Sequence, residues 1–120
     1  MKPIIDRTKF GWITIQDDVI HYDVIIRLNG LVEKRKKSLS KEFYGTSHII
    51  SIAEAKYLYE DGAERLIIGS GQDGMVKLSK EASKYFQEKH CQIELMPTPQ
   101  AIEVWNKAGD GTIGLFHVTC

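Results

Sequence analysis

The chain has 120 residues, with 16 basic side chains balancing 16 acidic ones and a hydrophobic content of 42%. This size and composition predict one domain, residues 1–120, with a core of its own, and the zero net charge argues against a nucleic-acid binder, which usually carries a basic excess. The two cysteines lack the spacing of a metal site or a disulfide framework, and no apolar segment approaches the roughly 18 residues that span a bilayer. We therefore expect a cytoplasmic protein without a cofactor, a bound metal or a membrane partner.

Residues 10–37 carry the pattern of an antiparallel meander. Phe10 to Ile15 alternates with the period of two that is typical of a strand. Asp17-Asp18 predicts a turn, and the β-branched segment from Val19 to Leu28 predicts one long strand. Asn29-Gly30 is the strongest hairpin signal because both residues tolerate the positive φ of a type I′ turn, so we expect the chain to return as a strand up to Lys37.

The pattern then changes from strands alone to helices alternating with strands. Residues 38–50 are polar and predict an irregular link. Ser51 and Glu54 fit a capping box at the start of a helix, and Gly62 is the predicted stop. Three apolar strand patterns follow with helical patterns between them: strands at 65–68, 92–96 and 112–119, with helices beginning near Ser79 and Thr98.

Strand–helix–strand units join parallel strands through right-handed crossovers. Residues 65–119 therefore predict a parallel βαβαβ unit, to which the N-terminal antiparallel meander is joined. The expected fold is a three-layer α/β fold with flanking helices. No internal repeat or linker suggests a second domain.

The segment from Gly69 to Gly74 matches a GxGxxG pattern after a strand. In a dinucleotide fingerprint the third glycine lies in the first turn of a helix, whose N-terminus faces the pyrophosphate. Here Met75 to Leu78 precede the helix predicted at Ser79. A tight turn, or a backbone-amide pocket for a small anion or polar ligand, fits this segment better than a nicotinamide site.

Pro97-Thr98-Pro99 precedes the last predicted helix. We interpret Thr98 as the N-cap and Pro99 as the first helical residue, where the missing amide of proline costs nothing. The free amides of the first turn and the Thr98 hydroxyl could also face an anion. The two interpretations are compatible.

His117 and Cys120 close the last strand and suggest a nucleophilic dyad. Alternation along a strand places His117 and Thr119 on one face and Cys120 on the other, and a carboxylate beside the thiol would disfavour the thiolate. We expect a packing histidine and an unreactive thiol. A dyad would require Cys120 to meet His48, His21 or His90 from another element.

Two further features have both a structural and a functional interpretation. Lys34–Lys37 lies on a predicted strand, where lysines either protect a sheet edge from aggregation or form a patch for an acidic partner. His48 lies in a Gly-Thr-Ser-His loop and is either a site residue or part of a hydrogen-bonded turn.

Several motifs together resemble one family of small single-domain proteins. It includes the adipogenesis-associated domain protein and the mitochondrial respiratory complex I assembly factor, and this chain looks most like its archaeal members. The resemblance implies a three-layer α/β fold but no reaction, because the family has no established catalytic residues, and we do not carry the assembly role over. The motifs are Phe10-Gly11, Tyr22-Asp23-Val24, Gly45-Thr46-Ser47-His48, Ile67-Ile68-Gly69-Ser70-Gly71, Pro97-Thr98 with Ala101 and Asn106, and His117-Val118-Thr119-Cys120.

Ligands of open α/β sheets bind beyond the carboxyl ends of parallel strands. We therefore expect a non-enzymatic domain with a polar pocket for a small polar or anionic ligand at these ends. Two alternatives stay open: a protein-interaction or assembly factor that uses the basic strand, and a thiol enzyme that uses Cys120. The residues expected to line the pocket are Gly69, Ser70, Gly71, Pro97, Thr98, His48, His117 and Cys120.

Overall fold

The computed structural model describes residues 2–120, which form ten strands and four helices. The strands are β1 (Ile5–Lys9), β2 (Trp12–Ile15), β3 (Asp18–Ile20), β4 (Val24–Ile26), β5 (Val32–Lys34), β6 (Ile49–Ile50), β7 (Arg65–Ser70), β8 (Lys77–Leu78), β9 (Gln92–Met96) and β10 (Thr112–His117). The helices are α1 (Ser38–Tyr44), α2 (Ile52–Leu58), α3 (Lys80–Glu88) and α4 (Thr98–Lys107).

A five-stranded sheet with the order β5-β4-β10-β7-β9 is the centre of the fold. β10, β7 and β9 run parallel, as the alternation of strands and helices in residues 65–119 predicts. β4 joins β10 in antiparallel pairing, and β5 forms the edge beyond it. The α/β class and the union of antiparallel and parallel sections are therefore confirmed.

The two faces of this sheet bury two separate apolar cores. Successive side chains of a strand point to opposite faces, so Leu66 and Ile68 enter one core while Ile67 enters the other. The first core is completed by α2 and α3, and Phe86 is its largest side chain. The second is completed by α4, through the buried Trp105, and by the small sheet β1-β2-β3. The three layers are therefore helices α2 and α3, the five-stranded sheet, and helix α4 with the small sheet β1-β2-β3.

Helix α4 holds the N-terminal strand in place. The side chain of Asn106 accepts a hydrogen bond from the Ile5 amide (3.0 Å) and donates one to the Ile5 oxygen (2.8 Å), as a neighbouring strand would. The indole nitrogen of Trp105 donates to the Pro3 oxygen at 2.9 Å. These bonds satisfy backbone groups that β2 does not reach.

The meander differs from the sequence-based prediction because it is divided between two sheets. Residues 19–28 form β3 and β4, which belong to different sheets, and not one long strand. The chain passes from the small sheet β1-β2-β3 to the five-stranded sheet at His21-Tyr22-Asp23. Asp23 is buried there and its Oδ1 accepts a hydrogen bond from the Val118 amide at 2.9 Å. The prediction also missed β1, which pairs with β2.

The turns of this region differ in detail as well. Gly30 is left-handed (φ +87°) and its amide donates to the Arg27 oxygen, so the turn centres on Leu28-Asn29 and Asn29 keeps a negative φ. A pair with positive φ occurs instead at Gln16-Asp17, with φ of 47° and 72°. The hairpin predicted at Asn29-Gly30 is confirmed, but the prediction of a type I′ turn is wrong.

Helix α1 lies inside the segment predicted to be an irregular link. Of its seven residues only Ser40 is buried, and no side chain caps its N-terminus. It therefore lacks both the apolar stripe and the cap by which sequence patterns reveal a helix. The predicted cap of α3 is confirmed, because Ser79 Oγ accepts a hydrogen bond from the Ala82 amide at 3.1 Å.

Candidate functional site

The three parallel strands end side by side and form what we call the strand-end rim, comprising residues 69–71, 97–98 and 117–120. Ser70 is aligned with His117, and Gly69 with Met96. The structure thus brings together the three strand ends that the sequence places at one edge.

Thr98 joins two of these strand ends through its hydroxyl group. Thr98 Oγ1 accepts a hydrogen bond from the Gly71 amide (2.9 Å) and donates one to the His117 oxygen (2.6 Å). The N-cap of α4 is Pro97, and no side chain caps this helix. Thr98 is therefore not the N-cap, and its only hydroxyl proton goes to the protein. Because the side chain is fully buried, it supports the rim from within.

The glycine-rich loop after β7 wraps around the last residues of the chain. The Gln72 amide donates to the Thr119 oxygen at 2.7 Å, and the amides of Asp73 and Met75 donate to the Cys120 oxygen at 3.0 and 3.2 Å. Gly71 has φ +103°, and a Cβ there would lie 2.1 Å from the carbonyl carbon of Cys120. A glycine is therefore required for this approach, and the loop amides hold the chain itself. The next helix begins only at Lys80, which excludes the geometry of a dinucleotide fingerprint.

A cluster of buried charges lies behind the rim, and we call it the Arg35 cluster. The side chain of Arg35 is 0% exposed, and it binds Glu54 through two hydrogen bonds of 2.7 and 3.0 Å. It also donates to Asp23 Oδ2 at 2.9 Å and to the Ser47 oxygen at 2.8 Å. One arginine thus pairs with two buried carboxylates. Burial alone would lower the pKa of Arg35, but its bonds to Glu54 and Asp23 raise it above the usual value.

Glu54 belongs to this cluster and not to a full capping box. Ser51 Oγ accepts from the Glu54 amide at 3.1 Å, so half of the predicted box is confirmed. The Glu54 carboxylate turns inward to Arg35 and accepts from Ser40 Oγ at 2.5 Å. Ser40 Oγ in turn accepts the hydrogen bond of the Ser51 amide. In a full capping box the Glu54 carboxylate would accept that bond.

His117 connects the cluster to the surface. Its Nδ1 lies 2.6 Å from Asp23 Oδ2, and its Nε2 lies 3.0 Å from Thr119 Oγ1. Burial would raise the pKa of Asp23, but the hydrogen bond and charge of His117, the Val118 amide and Arg35 together lower it to about 2. Asp23 is therefore ionised at neutral pH. The His48 ring meets the His117 ring edge-on, with centroids 5.6 Å apart.

An open groove of about 450 Å³ adjoins the rim where Thr119 reaches the surface. We call it the basic groove. Lys34 and Lys36 are exposed, and Lys37 Nζ lies 3.7 Å from Asp23 Oδ2. The lining residues are His21, Tyr22, Asp23, Lys34, Arg35, Lys36, Lys37, Ser38, Val118 and Thr119.

The family model for proteins of unknown function designated DUF498/DUF598 matches residues 5–110. The chain belongs to the DUF498/DUF598 family. The conserved hypothetical protein PH1505 from Pyrococcus horikoshii OT3 is 32% identical, with both chains covered over 100% of their lengths and a TM-score of 0.86. The protein MT938 is 29% identical over 99% of this chain and 100% of its own, with a TM-score of 0.82.

The fold extends to more distant proteins. A protein from Bordetella pertussis, described as an Mth938-like domain, is 12% identical over 97% of this chain and 85% of its own, with a TM-score of 0.65. At that identity the likeness shows the α/β fold alone.

For this DUF498/DUF598 chain, sequence reasoning missed the buried charges. Arg35 lies within the basic run, and its burial distinguishes it from the lysines around it. The sequence pattern places Asp23 in a strand and Glu54 in the cap of a helix. One signal was present: Asp23 stands alone before the apolar segment Val24–Ile26, where an unpaired charge would be costly.

The remaining features of the site concern thiols, metals and membranes. Cys91 and Cys120 are free, and burial raises the pKa of the Cys91 thiol to about 11. Within residues 2–120, no group of three or more histidine, cysteine and acidic side chains is arranged to hold a metal ion. None of the helices in that range is long and apolar enough to cross a membrane.

Proposed function

We propose that this protein binds a small anionic ligand in the basic groove, beside the carboxyl ends of the parallel strands. The observation that carries the proposal is the combination of three lysines and the Thr119 hydroxyl around one open groove. Among residues 2–120, neither Lys34 nor Lys36 lies within salt-bridge distance of a carboxylate. Their ammonium groups lie 5.4 and 4.7 Å from the ring centroids of Tyr22 and Tyr57, and their charges remain available to attract an anion.

The rim residues have a supporting part in this proposal. Gly69, Gly71 and Thr98 hold the ends of β7 and β10 together, and the loop amides hold Thr119 at the groove. Ser70 is buried beneath the loop, and Pro97 begins the helix that carries Thr98. His117 bonds Thr119, His48 packs on His117, and Cys120 is held by the loop. None of these eight residues lines the groove itself; they hold Val118 and Thr119 at its wall, and the lysines supply the charge.

Isothermal titration of the purified protein with inorganic phosphate, pyrophosphate and citrate tests the proposal. We expect saturable binding of at least one of these anions, weakened about tenfold by Lys37→Gln, because a hydrogen bond to a charged group contributes about 1.5–3 kcal/mol. Lys84→Gln, which removes an exposed lysine of α3, is the matched control and should leave the affinity unchanged. Absence of saturable binding, or equal losses in the two variants, would refute the proposal.

A second candidate function is recognition of an acidic protein partner along β5. This strand is an edge of the central sheet, and Leu31 beside it is 54% exposed. An open strand edge can pair with an extended segment of another chain. Binding of a partner that Lys34→Gln weakens and that pyrophosphate does not displace would favour this candidate.

The kinship with the adipogenesis-associated domain protein and the complex I assembly factor, and a cytoplasmic location, are likewise proposals.

A further inference from the structure

Three side chains at the rim form a continuous hydrogen-bonded chain from the interior to the groove. Thr119 Oγ1 lies 3.0 Å from His117 Nε2, and His117 Nδ1 lies 2.6 Å from Asp23 Oδ2. The inner end is buried, with His117 and Asp23 both 1% exposed. The outer end is partly exposed, and Thr119 lines the basic groove. A hydroxyl, an imidazole and a carboxylate in this order form the arrangement by which an alcohol is activated as a nucleophile.

The partners of the imidazole determine where its protons lie. Asp23 is ionised, so its Oδ2 can only accept, and the proton of that 2.6 Å contact must be on Nδ1. When the ring is neutral, Nε2 has a free lone pair and can accept a hydrogen bond from the Thr119 hydroxyl. This is the tautomer in which Nε2 can take the hydroxyl proton.

Backbone contacts fix the two ends of this chain. Asp23 Oδ1 accepts from the Val118 amide, and Arg35 donates to Oδ2 at 2.9 Å from a nitrogen that lies 3.4 Å from His117 Nδ1. The Val118 oxygen accepts from the Gly11 amide at 2.7 Å, and the Thr119 oxygen from the Gln72 amide at 2.7 Å. The backbone on both sides of residue 119 is therefore held in place, and the hydroxyl is oriented by its 3.0 Å contact with His117 Nε2.

We propose that Thr119 is the nucleophile of an acyl-transfer reaction, with His117 as its general base, acting on an activated carboxylic ester that carries an anionic group. The anionic group rests on the proposed function, since the groove lysines would bind it. The nucleophile rests on the hydrogen-bonded chain alone. Lys37 lines the same groove as Thr119 and supplies a positive charge there for the oxyanion that forms.

The reaction balances with water as the only co-reactant. Thr119 Oγ1 attacks the ester carbon while its proton moves to His117 Nε2, and that proton then goes to the departing alcohol as the carbon–oxygen bond breaks. Water next attacks the acyl-threonine ester and gives a proton to Nε2, which returns it to Thr119 Oγ1 as the carboxylic acid leaves.

The test compares two activated esters, neutral 4-nitrophenyl acetate and the anionic 4-nitrophenyl monoester of adipic acid. We expect release of 4-nitrophenolate that falls at least about 100-fold in Thr119→Val, because general base catalysis of a positioned nucleophile supplies about that factor or more. Thr119→Ser keeps the hydroxyl and should retain activity within about tenfold. Ser83→Ala, which removes an exposed hydroxyl of α3, is the control for the loss of a hydroxyl elsewhere and should have no effect.

Mass spectrometry of the stopped reaction supplies a second measurement. An acyl group on Thr119 in the peptide 108–120 supports the proposal. An acyl group on Cys120 or a lysine, with release unchanged in Thr119→Val, overturns it. Circular dichroism should show that Thr119→Val is folded, and Asp23→Asn, where folded, should lower kcat with KM unchanged, because Asp23 orients His117 and does not touch the ester.

The two esters separate this inference from the proposed function. Threonine-dependent release from both esters at equal KM supports the nucleophile and contradicts the anion site. If pyrophosphate and the anionic ester compete for binding to the protein but the release of 4-nitrophenolate does not depend on Thr119, the anion site is supported and the nucleophile is overturned.

Discussion

The two ends of the five-stranded sheet each carry an arginine–carboxylate pair, in different surroundings. At the carboxyl end Arg35 binds Glu54 and Asp23 with side chains that are 0–1% exposed. Near the amino end of β7, Arg65 binds Glu94 at 2.6 Å with side chains that are 33% and 23% exposed. The same chemical groups thus face protein in one place and water in the other. Solvent, more than bond length, decides what each pair does for stability.

The largest expected effect is the removal of the buried cation by Arg35→Met. Asp23 and Glu54 would remain buried without their partner, which costs about 3–5 kcal/mol of unfolding free energy. Urea unfolding followed by circular dichroism measures the change. A loss below about 1 kcal/mol would mean that water or Lys37 replaces the guanidinium and that the cluster is less enclosed than the structure shows.

An intermediate effect is expected from acid. The pKa of Asp23 is lowered to about 2 from an ordinary 3.8, so its contribution is complete above pH 3.8 and is lost as the pH falls toward 2. This difference corresponds to about 2 kcal/mol. Urea midpoints measured between pH 5 and 2 should show this loss. Asp110→Asn, at an exposed position, should lose stability between pH 5 and 2 as the unsubstituted protein does, whereas the stability of Asp23→Asn should depend less on pH in this range. If the urea midpoint of Asp23→Asn fell as steeply between pH 5 and 2, the loss of stability in acid would belong to other groups.

The smallest effect is expected from Arg65→Met, the counterpart of Arg35→Met. A partly exposed ion pair contributes up to about 1 kcal/mol, because the Glu94 carboxylate that remains can regain water. The same urea experiment, repeated at high salt, should show little further change in the Arg65 variant. If the two methionine variants lost equal stability, burial would not be the property that distinguishes the two ends.

The apolar part of the fold could be predicted because its physical signals are local. Leu66, Ile67 and Ile68 alternate between two cores, and a continuous apolar strand flanked by helical patterns indicates a parallel sheet covered on both faces. Helix α1 could not be predicted because it packs through one serine. The division of residues 19–28 between two sheets depends on what Asp23 bonds, and its partner Val118 lies at the far end of the chain.

The meeting of the strand ends could be predicted from the sequence, but the contacts of their side chains could not. Gly69, Thr98 and His117 were placed at one edge because parallel strands end together, and they do meet there. Whether a hydroxyl at this edge faces solvent or protein depends on contacts distant in sequence, as the bond from Thr98 to the His117 oxygen illustrates. Arg35 was hidden for the same reason: among neighbouring lysines it differs only by what surrounds it.

The Arg35 cluster also bears on how the chain folds. Asp23 and His117 are 94 positions apart in sequence, and Trp105 and Pro3 are 102 apart. Contacts of such separation form slowly, because the entropy of closing the loop is lost before any bond is gained. We therefore expect Asp23 to lose its water only when residues 117 and 118 dock against it, so that the burial of this charge and the closure of the last strand occur in one late step.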